Sequence, residues 1–319
     1  MDKEHAMSQP SSYVPSLMAA LLLALMLAPT ALAQTRPAPP RQIPPPRLPE
    51  GTQAFRDLPY IDGGSKAQRL DLYLPAKTDQ ALPLIIWIHG GGWKGGNKTQ
   101  CPALPLLAQG YAVASVEYRL SQEAIFPAQI HDCKAAVRFL RANAKKYHLD
   151  PERFGAWGSS AGGHLVALLG TSSGVKELEG TVGNLEQSSK VQCVCDWFGP
   201  ANFTTIAAQS GPEIKMRHDT PDSPESKLIG GPLPDHPEKA KAVSPVTYVS
   251  KDAPPFLIMH GDKDPLIPLA QSQELDAALQ KAGVDTTLFV VQGGGHGFGG
   301  PELMKQVREF FDKHLKKTP

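Results

Sequence analysis

The sequence predicts an α/β fold, with a mostly parallel central sheet and helices on both of its faces. From about Gln53 onward, short apolar runs alternate with amphipathic helical segments. Such alternation indicates a parallel sheet, because each helix returns the chain to the start of the next strand. Glycine-rich or turn-forming motifs follow four of the apolar runs. In sheets of this kind the ligand site lies at the carboxyl ends of the strands, so these four loops should meet there.

The predicted strands fall into two types. Leu70–Leu74 alternates apolar and polar residues, which predicts a half-exposed edge strand. The other type is predominantly apolar and is expected to be buried on both faces. Its members are Leu84–Ile88, Tyr111–Val116, Val191–Trp197, Pro255–Met259 and Thr287–Val291, and a shorter run, Phe154–Trp157, leads into a glycine-rich turn.

The predicted helices show apolar residues at steps of three and four. The clearest case lies between Pro127 and Tyr147, where such residues form one apolar face. Further helical segments are expected at Leu165–Leu169, Gln271–Lys281 and Pro301–Lys316.

The first 52 residues are predicted to lie outside the folded domain. Residues 1–33 resemble an export signal, with an apolar run at Leu17–Ala28 and the small-x-small site Ala31-Leu-Ala33 before Gln34. This run is shorter than the roughly 20 residues that a membrane-spanning helix needs, so a permanent anchor is the weaker alternative. Residues 34–52 are rich in proline and form a semi-rigid linker. The folded domain is expected over 53–319, and the protein should be exported, to the periplasm or beyond, after cleavage near Ala33.

The composition excludes some partners and leaves the state of the thiols open. The net charge of +1 provides no electrostatic surface for nucleic acid or an anionic membrane. The four cysteines, Cys101, Cys133, Cys193 and Cys195, either form disulfides in an exported protein or stay as buried thiols. No metal site is expected, because the C-x-C pair has no histidine at ligand spacing.

The chain is organised around Gly158-Ser-Ser-Ala-Gly162, a G-x-S-x-G pattern between an apolar run and a helical segment. A serine on a sharp strand-to-helix turn needs small neighbours, and the turn presents its hydroxyl to a substrate. Ser160 is therefore the candidate nucleophile, with Ser159 as a small spacer. A glycine-rich turn before a helix is also common without any function, so the remaining loops must supply partners for the serine.

A serine nucleophile needs a base, and the base needs a carboxylate to hold its tautomer. His296 lies in the glycine-rich loop after the last predicted strand, and Asp264 lies in the turn after the strand before it. The order Ser160, Asp264, His296 agrees with the serine-hydrolase pattern that begins with G-x-S-x-G. Asp262 is the alternative acid, although the spacing favours Asp264 and a turn-forming role suits Asp262.

Three other histidines compete for the role of base. His89 and His260 each end a strand and precede a glycine, which favours a role in bracing their own loops. His164 lies on the helix after the serine turn and is expected to be a packing residue.

Hydrolysis also requires donors for the oxyanion of the tetrahedral intermediate. His89-Gly-Gly-Gly-Trp93 follows a predicted strand, and its glycines allow the backbone N–H groups to turn inward. We expect the N–H groups of Gly91 and Gly92 to act together with that of Ala161, which follows the nucleophile.

Together these motifs resemble the α/β-hydrolase superfamily, and within it the esterase and lipase group that carries H-G-G-G-W. That group includes hormone-sensitive-lipase-like esterases and bacterial feruloyl- and acetyl-esterase-like enzymes. The resemblance also includes Tyr118-Arg-Leu120 and extends from about Pro59 to Leu315. It implies an α/β-hydrolase fold and carboxylic ester hydrolysis through an acyl-enzyme, with no metal or organic cofactor. Two alternative functions are those of related proteins, a prolyl-oligopeptidase-like serine peptidase and a non-catalytic binding protein on the same fold.

The expected cover of the site departs from hormone-sensitive-lipase-like members, which carry a helical cap before the sheet. Here the candidate cover is 201–251, whose polar composition predicts a small loop-type insertion. An open pocket would suit short acyl or aromatic acyl esters, such as acetyl or feruloyl groups on plant polysaccharide. Trp93, Trp197 and Phe298 are candidate pocket residues, although buried aromatic residues more often belong to the core.

Overall fold

The architecture comes from a computed structural model, which describes residues 48–76 and 80–316. A sheet of eight strands runs through this part of the chain, in the order β1-β2-β4-β3-β5-β6-β7-β8. Its strands are β1 (Gln53–Pro59), β2 (Arg69–Leu74), β3 (Leu82–Ile88), β4 (Ala112–Val116), β5 (Leu149–Ser159), β6 (Cys193–Trp197), β7 (Phe256–Gly261) and β8 (Thr286–Val291). β2 is antiparallel to β1 and to β4. The remaining neighbours in the sheet are parallel to one another, namely β4, β3, β5, β6, β7 and β8. The mostly parallel sheet predicted from the sequence is confirmed.

The helices lie between the parallel strands, in the segment after β6 and after the last strand. They are α1 (Ala128–Ala142), α2 (Ala161–Thr171), α3 (Lys176–Glu179), α4 (Ile206–Gln209), α5 (Pro224–Ile229), α6 (Pro237–Val243), α7 (Leu269–Lys281) and α8 (Pro301–Leu315). Short 3₁₀ helices occur at Leu104–Gln109, Leu233–Asp235 and Pro245–Tyr248.

Each face of the sheet carries its own apolar core, as the alternation of β3 shows. Ile86 and Ile88 point into a layer that contains α1 and α2, while Ile85 and Trp87 point into a layer that contains α8. Every residue of β3 is buried, because both of its faces are covered. Helices therefore lie on both faces of the sheet, as expected.

Two strand predictions were wrong about burial. β2 is not an edge strand, because β1 covers it, and Asp71 in the polar part of its pattern is only 1% exposed. That carboxylate is buried because Lys98 Nζ, 2.8 Å away, pairs with it. β8 was expected to be buried, but it forms the opposite edge of the sheet and its side chains are mostly half-buried.

The segment 201–251 contains α4, α5 and α6, which have four, six and seven residues. Several of its apolar side chains, including Phe203 and Leu228, belong to the same core as the apolar side chains of α2. The segment is therefore more helical and more deeply packed than its polar composition indicates.

All four cysteines are buried free thiols. Burial raises the pKa of Cys101 to about 12, so this thiol is protonated at neutral pH. The predicted export signal and the first part of the linker lie outside the described residues. No helix in the described ranges is long and apolar enough to span a membrane.

Candidate active site

Ser160 occupies a sharp turn between β5 and α2, where its backbone is strained. Its φ of 55° lies in the left-handed region, which a residue with a side chain rarely adopts. The two flanking glycines are required by contact. A Cβ at Gly158 would lie 2.3 Å from the carbonyl oxygen of Gly162, and a Cβ at Gly162 would lie 2.1 Å from that of Ile88. The G-x-S-x-G pattern thus reflects a turn so tight that neither flanking position admits a side chain.

Ser160, His296 and Asp264 form a continuous series of hydrogen bonds. The hydroxyl of Ser160 lies 3.0 Å from His296 Nε2, and His296 Nδ1 lies 2.8 Å from Asp264 Oδ2. With Nδ1–H donating to the carboxylate, Nε2 is free to accept the serine proton. These distances are within the range for a nucleophile, its base and the acid that orients the base. The chemistry available to this arrangement is nucleophilic attack on a carbonyl carbon.

Four donors surround the carboxylate of Asp264, namely two backbone N–H groups, His260 and His296. Its Oδ1 accepts hydrogen bonds from the backbone N–H groups of Leu266 at 2.8 Å and Ile267 at 3.0 Å. Its Oδ2 lies 3.3 Å from His260 Nε2 as well as beside His296. Burial alone would raise the pKa of Asp264, but the hydrogen bonds from His260 and His296 outweigh it and hold the pKa well below its usual range. The carboxylate is therefore ionised at any pH at which the base can work.

The predicted oxyanion donors have free N–H groups. Within the described residues, the backbone N–H groups of Gly91, Gly92 and Ala161 have no hydrogen-bond acceptor. Gly91 and Gly92 line the same cavity as Ser160, and Ala161 is the first residue of α2. Gly91 has a φ of 111° and Gly92 a φ of 59°, conformations that favour glycine. The loop can therefore present N–H groups to a developing negative charge.

His89 and His164 are both committed to structural contacts. His89 Nδ1 lies 2.8 Å from the carbonyl oxygen of Gly90, and its ring stacks on Tyr118 at 4.4 Å between centroids. His164 accepts a hydrogen bond from the indole N–H of Trp93 at 3.2 Å and donates one to a backbone carbonyl in the insertion at 2.7 Å. Burial lowers the pKa of His164 to about 4, so this imidazole is neutral. Neither ring is available to Ser160.

His260 and Asp262, the alternatives to His296 and Asp264, make other contacts. His260 Nδ1 lies 2.7 Å from the hydroxyl of Ser272, and Nε2 lies 3.0 Å from the carbonyl oxygen of Ile267. It braces the loop 264–267, and it also touches Asp264, which the sequence did not indicate. Asp262 accepts a hydrogen bond from the N–H of Gly293 at 2.6 Å, a contact that suits the turn-forming role expected for it.

The three predicted pocket aromatics all border one cavity of about 800 Å³, but they do so unequally. Trp197 and Phe298 pack together, with ring centroids 4.9 Å apart. Trp93 is only 2% exposed and its indole N–H is used by His164, so it is chiefly a core residue. Phe198, which sequence reasoning missed, packs edge-on against His296 at 4.7 Å.

The insertion supplies further lining residues that the sequence did not identify, among them Met216, Pro224 and Glu225. Ser223 caps α5 by accepting a hydrogen bond from the N–H of Ser226, and a Ser-Pro start is typical of a helix. This signal predicts a helix at that point, but it carries no information about the cavity. No group of three or more His, Cys, Asp or Glu side chains in the described ranges could hold a metal ion.

Comparison with known proteins points to one family. The model of the BD-FAE family matches residues 70–279. The esterase LipQ of Mycobacterium tuberculosis is 33% identical over 242 residues, which cover 73% of this chain and 54% of LipQ. The chain spans about half the length of the curated relatives it matches, with 54%, 58% and 49% for the first three.

Solved structures agree with this assignment. A structure described as a truncated form of a carbohydrate esterase from gut microbiota has a TM-score of 0.77 and 37% identity, covering 83% of this chain and 97% of its own. A bifunctional GH43-CE protein from Bacteroides eggerthii has a TM-score of 0.76 and 36% identity, covering 82% of this chain and 35% of its own.

Proposed function

Because this chain belongs to the BD-FAE family of the α/β-hydrolase superfamily, we propose that it is a carboxylic ester hydrolase that acts through an acyl-enzyme on Ser160. The observation that carries the proposal is the hydrogen-bonded series from Ser160 through His296 to Asp264, with distances of 3.0 and 2.8 Å. The esterases among the relatives and structural neighbours support the same reaction class.

In the first half of the reaction, Ser160 Oγ attacks the ester carbonyl carbon while His296 Nε2 takes the hydroxyl proton. The negative charge that develops on the carbonyl oxygen is stabilised by the free N–H groups of Gly91, Gly92 and Ala161. Asp264 stabilises the imidazolium of His296 and holds its Nδ1–H in place. His296 then gives the proton to the departing alcohol oxygen, which leaves the acyl group on Ser160.

In the second half, water replaces the alcohol. His296 takes a proton from the water as its oxygen attacks the acyl carbon, and the same N–H groups stabilise the second tetrahedral intermediate. Its collapse breaks the bond to Ser160 Oγ, which takes back the proton. The products are a carboxylic acid and an alcohol, and the resting hydrogen bonds are restored.

We propose short acyl and aromatic acyl esters as substrates, specifically acetyl or feruloyl groups on plant polysaccharide. The paired rings of Trp197 and Phe298 beside the nucleophile support an aromatic or small acyl group, since flat rings offer stacking surfaces. A cavity of about 800 Å³ has room for a sugar-linked ester. The neighbour described as a carbohydrate esterase supports a carbohydrate alcohol.

We further propose that the protein is exported, periplasmic or secreted, after cleavage near Ala33. The apolar run Leu17–Ala28 and the small-x-small site before Gln34 support this proposal. Mass spectrometry of the mature protein, recovered from outside the cytoplasm, should find an N-terminus at Gln34. An intact N-terminus on cytoplasmic protein would contradict export.

The substrate proposal is tested with wild type and Ser160→Ala on one series of substrates. The series contains p-nitrophenyl esters of increasing chain length, methyl ferulate and acetylated xylan. We expect the wild type to favour short and aromatic acyl groups, and Ser160→Ala to lose about 10³-fold or more in kcat. If only p-nitrophenyl acetate is hydrolysed, the polysaccharide proposal is wrong. If the wild type hydrolyses no ester, the reaction class itself is wrong.

A further inference from the structure

We propose that the buried pair of His218 and Glu225, in the insertion 201–251, is a positioning element for the triad carboxylate Asp264. The inference rests on the proposed function, because Asp264 needs positioning only if the triad performs catalysis. His218 and Glu225 would act through the backbone of the acid loop, defined here as 264–267, and touch neither Ser160 nor the substrate carbonyl.

His218 and Glu225 form a buried pair. His218 Nδ1 lies 3.0 Å from Glu225 Oε1, and each residue is 1% exposed. Within the described residues Glu225 Oε2 has no hydrogen-bond partner, so His218 is the group that holds this carboxyl in place. The carboxyl of Glu225 is therefore positioned by His218.

The other ring nitrogen of His218, Nε2, also has a partner. His218 Nε2 lies 3.0 Å from the carbonyl oxygen of Leu266. A carbonyl oxygen only accepts, so Nε2 must carry a proton and donate it. The contact between Nδ1 and Glu225 then needs one more proton, which can reside on either atom. Whether the pair is ionic or neutral, the bond from Nε2–H to Leu266 is maintained.

One peptide group connects the hydrogen bond from His218 to Asp264. The carbonyl that accepts from His218 belongs to the peptide group between Leu266 and Ile267. The N–H of this same peptide group donates to Asp264 Oδ1 at 3.0 Å. A hydrogen bond at the oxygen of a peptide polarises its N–H and strengthens the bond that the N–H makes. The pair thus orients and polarises one of the donors that hold the triad carboxylate.

The insertion 201–251 contacts two functional loops, the acid loop and the oxyanion loop, which comprises residues 89–93. Lys215 N donates to the carbonyl oxygen of Pro265 at 2.7 Å, a second contact with the acid loop. On the other side, Pro224 Cβ lies 3.3 Å from where a Cβ on Gly92 would be, so α5 packs against the oxyanion loop. The segment that carries His218 and Glu225 therefore contacts both the acid loop and the oxyanion loop.

Stability alone is a poor explanation for this pair. Burying an ionisable pair carries a desolvation cost, and an apolar pair of similar volume often serves stability as well or better. The unpartnered Oε2 of Glu225 adds to that cost. The geometry instead gives the pair one directed action, the bond from His218 Nε2 to the peptide that holds Asp264.

The test compares variants that remove the donor without leaving a lone buried charge. In His218→Leu/Glu225→Leu both polar groups are lost together. Glu225→Gln is the conservative variant, because its amide N–H can donate to Nδ1 and keep the proton on Nε2. Ser244→Ala is the matched control. Ser244 is equally buried in the insertion, and its hydroxyl accepts from the N–H of Phe203 and donates to the carbonyl oxygen of Ala240.

For p-nitrophenyl acetate we expect the double leucine variant to lose about tenfold in kcat with KM within about twofold, since a displaced acid slows chemistry without weakening binding. Glu225→Gln and Ser244→Ala should keep kcat within about twofold, although Ser244→Ala should lower Tm. If the leucine pair does not fold, His218→Phe/Glu225→Gln removes the same donor with a ring of similar shape, and the same tenfold loss is expected.

A second readout follows the acid without an assay of activity. The Nδ1 proton of His296, bonded to Asp264, should give a downfield ¹H NMR resonance that is shifted or lost in the double leucine variant. Glu225→Gln and Ser244→Ala should retain it. Wild-type kcat or an unshifted resonance in the folded double variant would overturn the proposal. An inactive wild type would overturn the proposed function instead, and the resonance would still report on the pair.

Discussion

His296 Nδ1 lies 2.8 Å from Asp264 Oδ2, and the carboxylate that accepts this bond is held on its other oxygen by two backbone N–H groups. The second contact at Oδ2, from His260 at 3.3 Å, further restrains the carboxylate. Asp264 thus enters the reaction already oriented. A carboxylate with this many donors need not reorganise when His296 becomes positively charged, which is how a preorganised site lowers a barrier.

Replacing the acid by its amide should separate geometry from charge. In Asp264→Asn the protein should fold, but the amide cannot stabilise the imidazolium and can hold His296 in the wrong tautomer. We expect kcat for p-nitrophenyl acetate to fall by about 10³- to 10⁴-fold. Asp262→Asn is the matched control, since an Asn oxygen can still accept from the N–H of Gly293, and it should retain activity. Equal losses in the two variants would contradict the assignment of the acid.

The nucleophile turn should be intolerant of a single methyl group. A Cβ at Gly162 would lie 2.1 Å from the carbonyl oxygen of Ile88, a backbone atom that cannot move aside cheaply. We expect Gly162→Ala to lower the free energy of unfolding by more than about 3 kcal/mol, measured by urea denaturation. Gly299→Ala, where a Cβ would meet nothing within 4 Å, is the control and should unfold like the wild type. Indistinguishable unfolding curves for the two variants would show that the turn is not tight.

Asp196 in β6 should make stability depend on pH. It is fully buried, its Oδ1 accepts from the N–H of Gly199 at 2.9 Å, and Oδ2 has no partner in the described ranges. Burial raises its pKa to about 6 from 3.8, so the folded protein favours the neutral carboxyl. The free energy of unfolding that the neutral carboxyl of Asp196 contributes is therefore fully present below about pH 4. It is lost as the pH rises through about 6. The shift corresponds to a loss on the order of 3 kcal/mol.

The check is urea unfolding of Asp196→Asn and wild type at pH 4.5 and pH 8. Asparagine stays neutral, so the variant should gain stability relative to the wild type as the pH is raised. A difference between the two proteins that does not change with pH would show that Asp196 does not titrate in this range.

The aromatic wall of the cavity should distinguish acyl groups. Phe298 packs against Trp197 with centroids 4.9 Å apart and lines the cavity beside Ser160. We expect Phe298→Ala to lower kcat/KM for methyl ferulate about tenfold more than for p-nitrophenyl acetate, because only the aromatic acyl group loses a stacking surface. Phe310→Ala, an aromatic truncation in α8 away from the cavity, should change both substrates equally. Equal effects of Phe298→Ala on both substrates would place the acyl group elsewhere.

The sequence was most informative where local geometry requires particular residues. The turn at Ser160 needs glycine on both sides, and the oxyanion loop needs positive φ at Gly91 and Gly92, so these motifs are visible in the order of residues alone. The positions of His296 and Asp264 followed from topology, because parallel strands bring their carboxyl ends to one edge of the sheet. The structure brings these residues within hydrogen-bond distance.

The sequence was least informative where a polar residue is buried by a distant partner. Asp71 gave β2 the pattern of an exposed strand, but Lys98 pairs with it from a loop far along the chain. His218 and Glu225 lie in a polar segment that suggests only a surface loop, and their significance depends on a contact with Leu266. Periodicity records which face of an element is apolar, and it cannot record which polar groups find partners after folding.

The role of Ser160 as nucleophile is tested most directly by covalent labelling with a fluorophosphonate probe, followed by mass spectrometry of the modified peptide. We predict one adduct per chain, on Ser160, with no labelling of Ser160→Ala and much slower labelling of His296→Ala. An adduct on Ser159, or a folded wild type that does not label, would contradict the claim that Ser160 is the activated nucleophile.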